Sequence, residues 1–120
     1  MSITLKTAAA TTIILTKARA LADGMVMQKI GTSFRDAYNL TARSFKSKGG
    51  HARTKHTIRV PYSTTIDQAT SIGEIFLTIE TSIPADAPLT KISELSFLGE
   101  SLCASAEFKA AVNEQAVTYA

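Results

Sequence analysis

The chain has a single cysteine, Cys103, no tryptophan and only three prolines in 120 residues. One cysteine excludes an intrachain disulfide framework and any multi-cysteine zinc site. Cys103 lies beside Leu102 in a helical pattern. It reads as a small buried hydrophobe, the alternative being a reactive or subunit-bridging thiol. Apolar runs fall far short of the ~18 residues a membrane span needs. Acid is nearly missing from the first half. Residues 1–60 hold 11 Lys/Arg against Asp23 and Asp36, so 11 − 2 = +9. Residues 61–120 hold Lys91 and Lys109 against eight acids, so 2 − 8 = −6. The formal net charge of +3 hides this division, which implies two surfaces with two partners, the first a polyanion.

Catalytic signals are also missing. There is no Gly-rich phosphate loop and no Cys/His ligand cluster. His51 lies beside a turn and His56 in an apolar row, so both read as ordinary structural residues. No catalytic residue, metal site or cofactor is expected, and an enzyme is not expected. What is present is a globular composition, 45% hydrophobic and 19% charged, which excludes a disordered chain. The length fits one domain spanning 1–120. A domain of this size buries only ~65% of its unfolded surface, so assembly is an available source of further stability.

Residues 1–22 admit two readings. Lys6, the stretch Thr7–Thr16 and Ala18-Arg19-Ala20-Leu21-Ala22 resemble a signal peptide. The apolar part is Thr-rich, however, and Lys17 and Arg19 lie where a cleavage region should be neutral. The preferred reading is a β-hairpin over 1–19. Ile3 and Leu5 alternate with polar residues, as do Ile13 and Leu15, and Ala8–Ala10 connects them.

Period-2 patterning then predicts a sheet over 24–84. The strand candidates are Gly24–Ile30, Asp36–Ser47, Ala52–Tyr62 and Glu74–Ile83. Gly31-Thr32-Ser33 is a break, and Pro61–Gly73 reads as a long polar loop. Parity fixes the central hairpin. Tyr38, Leu40 and Ala42 form one apolar row, and His56, Ile58, Val60 and Tyr62 the other. All are even-numbered, and cross-strand partners share a face, so the turn must have an odd length. Lys48-Gly49-Gly50, with Gly50 at positive φ, satisfies this.

The opposite face carries Asn39, Thr41, Arg43 and Phe45 with Arg53, Lys55, Thr57 and Arg59. A solvated sheet face is the ordinary explanation of such polar alternation. That explanation predicts mixed charge, and these eight positions hold no acid. Lys and Arg suit phosphates, aromatic rings suit stacked bases, and small polar groups reach base edges. On the last strand Ile75, Leu77 and Ile79 form one row, and Phe76, Thr78 and Glu80 the other. Phe76 reads equally as a stacking platform and as a subunit contact.

From Asp86 the period becomes helical. Asp86 is the expected N-cap, with Pro88 in the first turn. Leu89, Ile92, Leu95, Leu98 and Leu102 make one broad apolar face. Gly99 marks a weak point or a close approach of another backbone. Ser105 is placed to cap a second helix carrying Phe108, Ala111 and Val112. The two helices span 86–114, with Glu94, Glu100, Glu107 and Glu114 toward solvent.

In order, spacing and length, the chain resembles the coat proteins of single-stranded RNA bacteriophages, the levivirus type. The likeness rests on Asp36-Ala37-Tyr38-Asn39-Leu40-Thr41-Ala42-Arg43 running through Gly49-Gly50 to Arg53–Pro61, on Phe76–Pro84, and on the paired helices. It implies an α+β fold: an N-terminal hairpin, a five-stranded antiparallel sheet and two C-terminal α-helices, in an intertwined homodimer. It implies dimers tiling a T=3 icosahedral shell, with residues 61–73 as the inter-dimer loop and the basic face toward the genome. The Leu89–Leu102 face becomes a dimer clamp. The implied partners are further copies of the chain and single-stranded genomic RNA, with no membrane and no small-molecule substrate. The implied location is the virion, after assembly in the host bacterial cytoplasm.

Carried over by position, Thr41, Arg43, Lys55, Thr57 and Arg59 fall where the family contacts an RNA hairpin, a contact that also represses translation. Phe76 stands where some members have a stacking Tyr, and Thr78 where they have Asn. Arg43 replaces a small polar residue, and Phe45 a basic one. The competing reading is a small cellular RNA- or single-strand-binding protein that uses an open sheet as its platform. An exported adhesive or pilus-like subunit is a third.

Overall fold

The computed structural model describes residues 2–8, 11–29 and 37–117. They form six strands and two helices: β1 (Ser2–Ala8), β2 (Thr11–Leu21), β3 (Gly24–Lys29), β4 (Asn39–Lys46), β5 (Ala52–Ile66), β6 (Ala69–Ile83), α1 (Leu89–Ala104) and α2 (Ala106–Glu114). The strands make one sheet in the order β1-β2-β3-β4-β5-β6. The chain divides into two compact units, Met1–Ser82 and Ile83–Ala120. The fold is the expected α+β one, with hairpin, antiparallel sheet and C-terminal helices. Ile30, Gly31-Thr32-Ser33, Asp36 and the Ala9–Ala10 part of the first connection lie outside the described residues.

The N-terminal hairpin is present, with Ile3 opposite Leu15 and Leu5 opposite Ile13. β2 continues to Leu21 and pairs with β3, so the hairpin extends the sheet instead of standing apart from it. Residues 18–22, weighed above as a cleavage region, include the end of this paired strand. A register shift between Lys17 and Arg19 changes the face. Lys17 opposes Met27 on the apolar side, and Arg19 opposes Val26 on the polar side.

Leu15, Met27 and Leu40 form the core cluster, with Leu5, Ile13, Met25, Tyr38 and Ile58 packed against it. Each comes from the apolar row of its strand. Full burial of one such side chain stabilises by about 1.5–3 kcal/mol. The predicted three-residue turn is present. The Ser47 N–H donates to the His51 carbonyl at 3.0 Å, and Gly50 has φ 79°. That conformation is open to glycine at no steric cost. Gly24 answers a different need, because a Cβ there would collide with the Ala42 backbone of β4.

Residues 61–73 differ from expectation. They are not a loop but the distal arms of β5 and β6, joined by Asp67-Gln68, both at positive φ. Two consecutive left-handed residues make a tight primed hairpin turn, which matches the twist of the strands. Thr64-Thr65-Ile66 and Ala69-Thr70-Ser71-Ile72 are rich in β-branched residues, which favour this extension. β4 stops pairing at Asn39, opposite Arg59, so the arm beyond has two strands only.

The helices also start differently. α1 begins at Leu89 with Pro88 as N-cap and no side-chain cap, so Asp86 is not the cap. Pro84 accepts from the Ala87 N–H, which spends Ala85-Asp86 on a turn before the helix. Ser105 does cap α2, accepting from the Phe108 N–H at 3.1 Å. No residue of α1 or α2 is buried. Cys103 is exposed in the single chain, contrary to the buried reading. Among the described residues, nothing lies within 4 Å of a Cβ built on Gly99.

Candidate nucleic-acid interface

The central hairpin brings the predicted residues together in cross-strand pairs. Phe45 faces Arg53, Arg43 faces Lys55, Thr41 faces Thr57 and Asn39 faces Arg59. β6 adds a further column. The Thr57 and Thr78 hydroxyls lie 3.4 Å apart, and Lys55 meets Glu80 at 3.5 Å. Phe76 shares the parity of Thr78, so all ten predicted residues occupy one face. A cleft of about 710 Å³ opens there, lined by Thr41, Arg43, Phe45, Arg53, Lys55 and Thr57 among others.

The ten residues fall into two groups. Asn39 and Arg59 are buried, at 3% and 8% exposure. The Arg59 Nε and Nη2 both reach Glu74 Oε1, at 2.7 and 2.6 Å, and Nη1 donates to the Ala37 carbonyl at 3.1 Å. The same carbonyl accepts from Asn39 Nδ2 at 3.2 Å. These two side chains therefore fasten the entry to β4 and present little surface to a ligand. Arg43, Phe45, Arg53, Lys55, Phe76 and Thr78 are exposed, and Thr41 and Thr57 are half-buried. Phe45 is half exposed, and Phe76 slightly more so.

Sequence reasoning missed the acids of this face. Glu74 and Glu80 arrive on β6, and Asp23 lies 3.8 Å from Arg43 at the turn into β3. The eight hairpin positions are acid-free, as read, but the finished face is not. The signal was available, because Glu80 alternates in one row with Phe76 and Thr78. From the turn before β3 across β4, β5 and β6 the central row reads Asp23, Arg43, Lys55, Glu80: two cations flanked by two carboxylates.

Among the described residues, no group of three or more His, Cys, Asp or Glu is placed to hold a metal ion. No helix among them is long and apolar enough to cross a membrane. The arrangement suits a chain of phosphates with unpaired bases: exposed cations, two flat rings and a strip of hydroxyls on a sheet.

No family model and no curated protein matches the sequence. Solved structures do match the fold. The virus-like particle of Beihai levi-like virus 21 superposes with a TM-score of 0.87 at 18% identity, covering 99% of this chain and 97% of that one. The virus-like particle of bacteriophage AVE019 gives 0.84 at 10% identity, covering 98% and 97%. The bacteriophage GA protein capsid gives 0.71 at 16% identity, covering 99% and 97%. Over nearly its whole length, the chain has the coat-protein fold of the RNA bacteriophages.

Proposed function

We propose that this chain is a structural capsid protein of a single-stranded RNA bacteriophage, which dimerises, assembles into a shell and packages RNA. One observation carries the reading. Sixteen large hydrophobic residues are exposed, against five buried hydrophobics, among the described residues. A chain that leaves so much apolar surface in water has a partner for it. The exposed set includes Leu89, Leu95, Leu98 and Leu102 on α1, and Ile75, Leu77 and Ile79 on β6. β6 is also an outer strand of the sheet, so its backbone groups are open to pairing.

Two copies joined at β6 extend the sheet, with the exposed leucines of the helices sealing the pair. The arm around Asp67-Gln68 links dimers into an icosahedral shell. The polar face turns to the genome, where Arg43, Arg53 and Lys55 take phosphates, and Phe45 and Phe76 take bases. Thr41, Thr57 and Thr78 supply short hydrogen-bonding groups, the part of the face on which hairpin-specific translational repression draws. The protein then resides in the virion, after assembly in the host cytoplasm.

Size-exclusion chromatography and electron microscopy of the purified chain test this. Particles of megadalton size containing RNA are expected. A stable species of two 12.8 kDa chains or fewer, at every concentration, overturns it. Deleting part of Ser63–Ser71 separates the shell from the cellular sheet-platform reading. A shell protein loses or alters its particles while keeping dimers and RNA, whereas a platform protein loses no assembly.

A further inference from the structure

We infer that Glu80, with Asp23 as its counterpart, is a specificity-determining residue of the RNA face, favouring bases with an exocyclic amino group over uracil. The inference rests on the RNA-binding reading above and concerns what that face selects. Arg43 and Lys55 are directly opposed across β4 and β5, an arrangement of like charges that is unfavourable by itself. Glu80 meets Lys55 at 3.5 Å, and Asp23 meets Arg43 at 3.8 Å. The row therefore carries two positive and two negative charges and is neutral as a unit.

A phosphate arriving over Arg43 and Lys55 finds both cations already engaged, with carboxylates about one strand spacing away, ~4.8 Å. It gains attraction from one pair and repulsion from the other. A ligand profits fully only if it also satisfies the displaced carboxylates. Ionised carboxylates are pure acceptors, so they need donors. Cytosine offers its N4 amino group, adenine its N6 and guanine its N2, whereas the Watson–Crick edge of uracil presents two carbonyl acceptors and one N–H. The Glu80 side chain is 65% exposed, open to such a base while still in reach of Lys55. The ligand class is thus a single-stranded segment in which a phosphate is followed by an unpaired amino-bearing base.

Binding of oligo(C) and oligo(U) of equal length, two pyrimidine strands of which only the first carries exocyclic amino groups, tests the inference. The intact protein should prefer oligo(C) by about five-fold, near the low end of what one base contact is worth. Glu80→Gln should tighten oligo(U), steepen its salt dependence and shrink the preference, and Asp23→Asn should do the same more weakly. Oligo(U) affinity and salt slope unchanged in Glu80→Gln, or equal binding of both strands by the intact protein, overturns the inference and leaves RNA binding standing. Failure of both strands to bind, with particles free of RNA, overturns the RNA-binding reading as well.

Discussion

The sheet and the helices solve the problem of apolar surface in opposite ways. Across β1–β5, Leu15, Met27 and Leu40 are buried by neighbours from the same chain. Along α1, every residue of the apolar stripe is left unburied, Leu89 at 84% exposure being the extreme. The first pattern is that of a self-sufficient fold. The second is that of a part which finds no cover among the described residues. The same contrast recurs on the polar face, where Arg59 is consumed by the fold and Arg53 stands exposed.

These contrasts can be broken experimentally. Leu98→Asp has the largest expected effect: loss of particles in electron micrographs, with the circular dichroism of dissociated chains unchanged. Persistent particles would remove the helix stripe from the assembly. Leu40→Ala should destabilise the chain by about 2–5 kcal/mol in urea titrations at any protein concentration, because its cavity lies within one chain. A concentration-dependent loss would show that the sheet core, too, depends on partners. Arg59→Ala should cost about 1–3 kcal/mol, since it strips Glu74 and the Ala37 carbonyl of a donor. Arg53→Ala should change stability by less than about 0.5 kcal/mol. Its signature is instead a salt slope of RNA binding lowered by about 0.7, the share of one phosphate contact on a single strand. Equal effects of these two arginine substitutions on stability would erase the division of the face.

What was legible in the sequence follows where a buried row existed to be read. The parity of Leu40 and Ala42 against His56 and Ile58 was enough to place Gly50 at positive φ and to pair Arg43 with Lys55. From Tyr62 to Thr70 every residue is exposed, so the alternation of polar and apolar residues that marks a strand fades. Its turn, Asp67-Gln68, also lacks the glycine that announces most tight hairpins. That is why the arm reads as a loop. The buried state of Arg59 was illegible for a related reason. Alternation assigns a residue to a face, but it does not reveal that Ala37 and Glu74 enclose the side chain. Asp86 misled because a good capping residue competes with the turn that Pro84 and Ala87 close ahead of α1.

The strand order, in which each strand lies beside its neighbours in sequence, has a consequence for how the protein is made. A meander of this kind is built from local contacts, and local contacts favour fast folding. Chains fold from the N-terminus as they leave the ribosome. Each new strand of this one finds its partner already in place. The outer edge of β6 is completed last among the strands. Nascent chains crowded on one message thus expose the open edge of β6 only after the rest of the sheet has closed, which disfavours tangling of unfinished sheets.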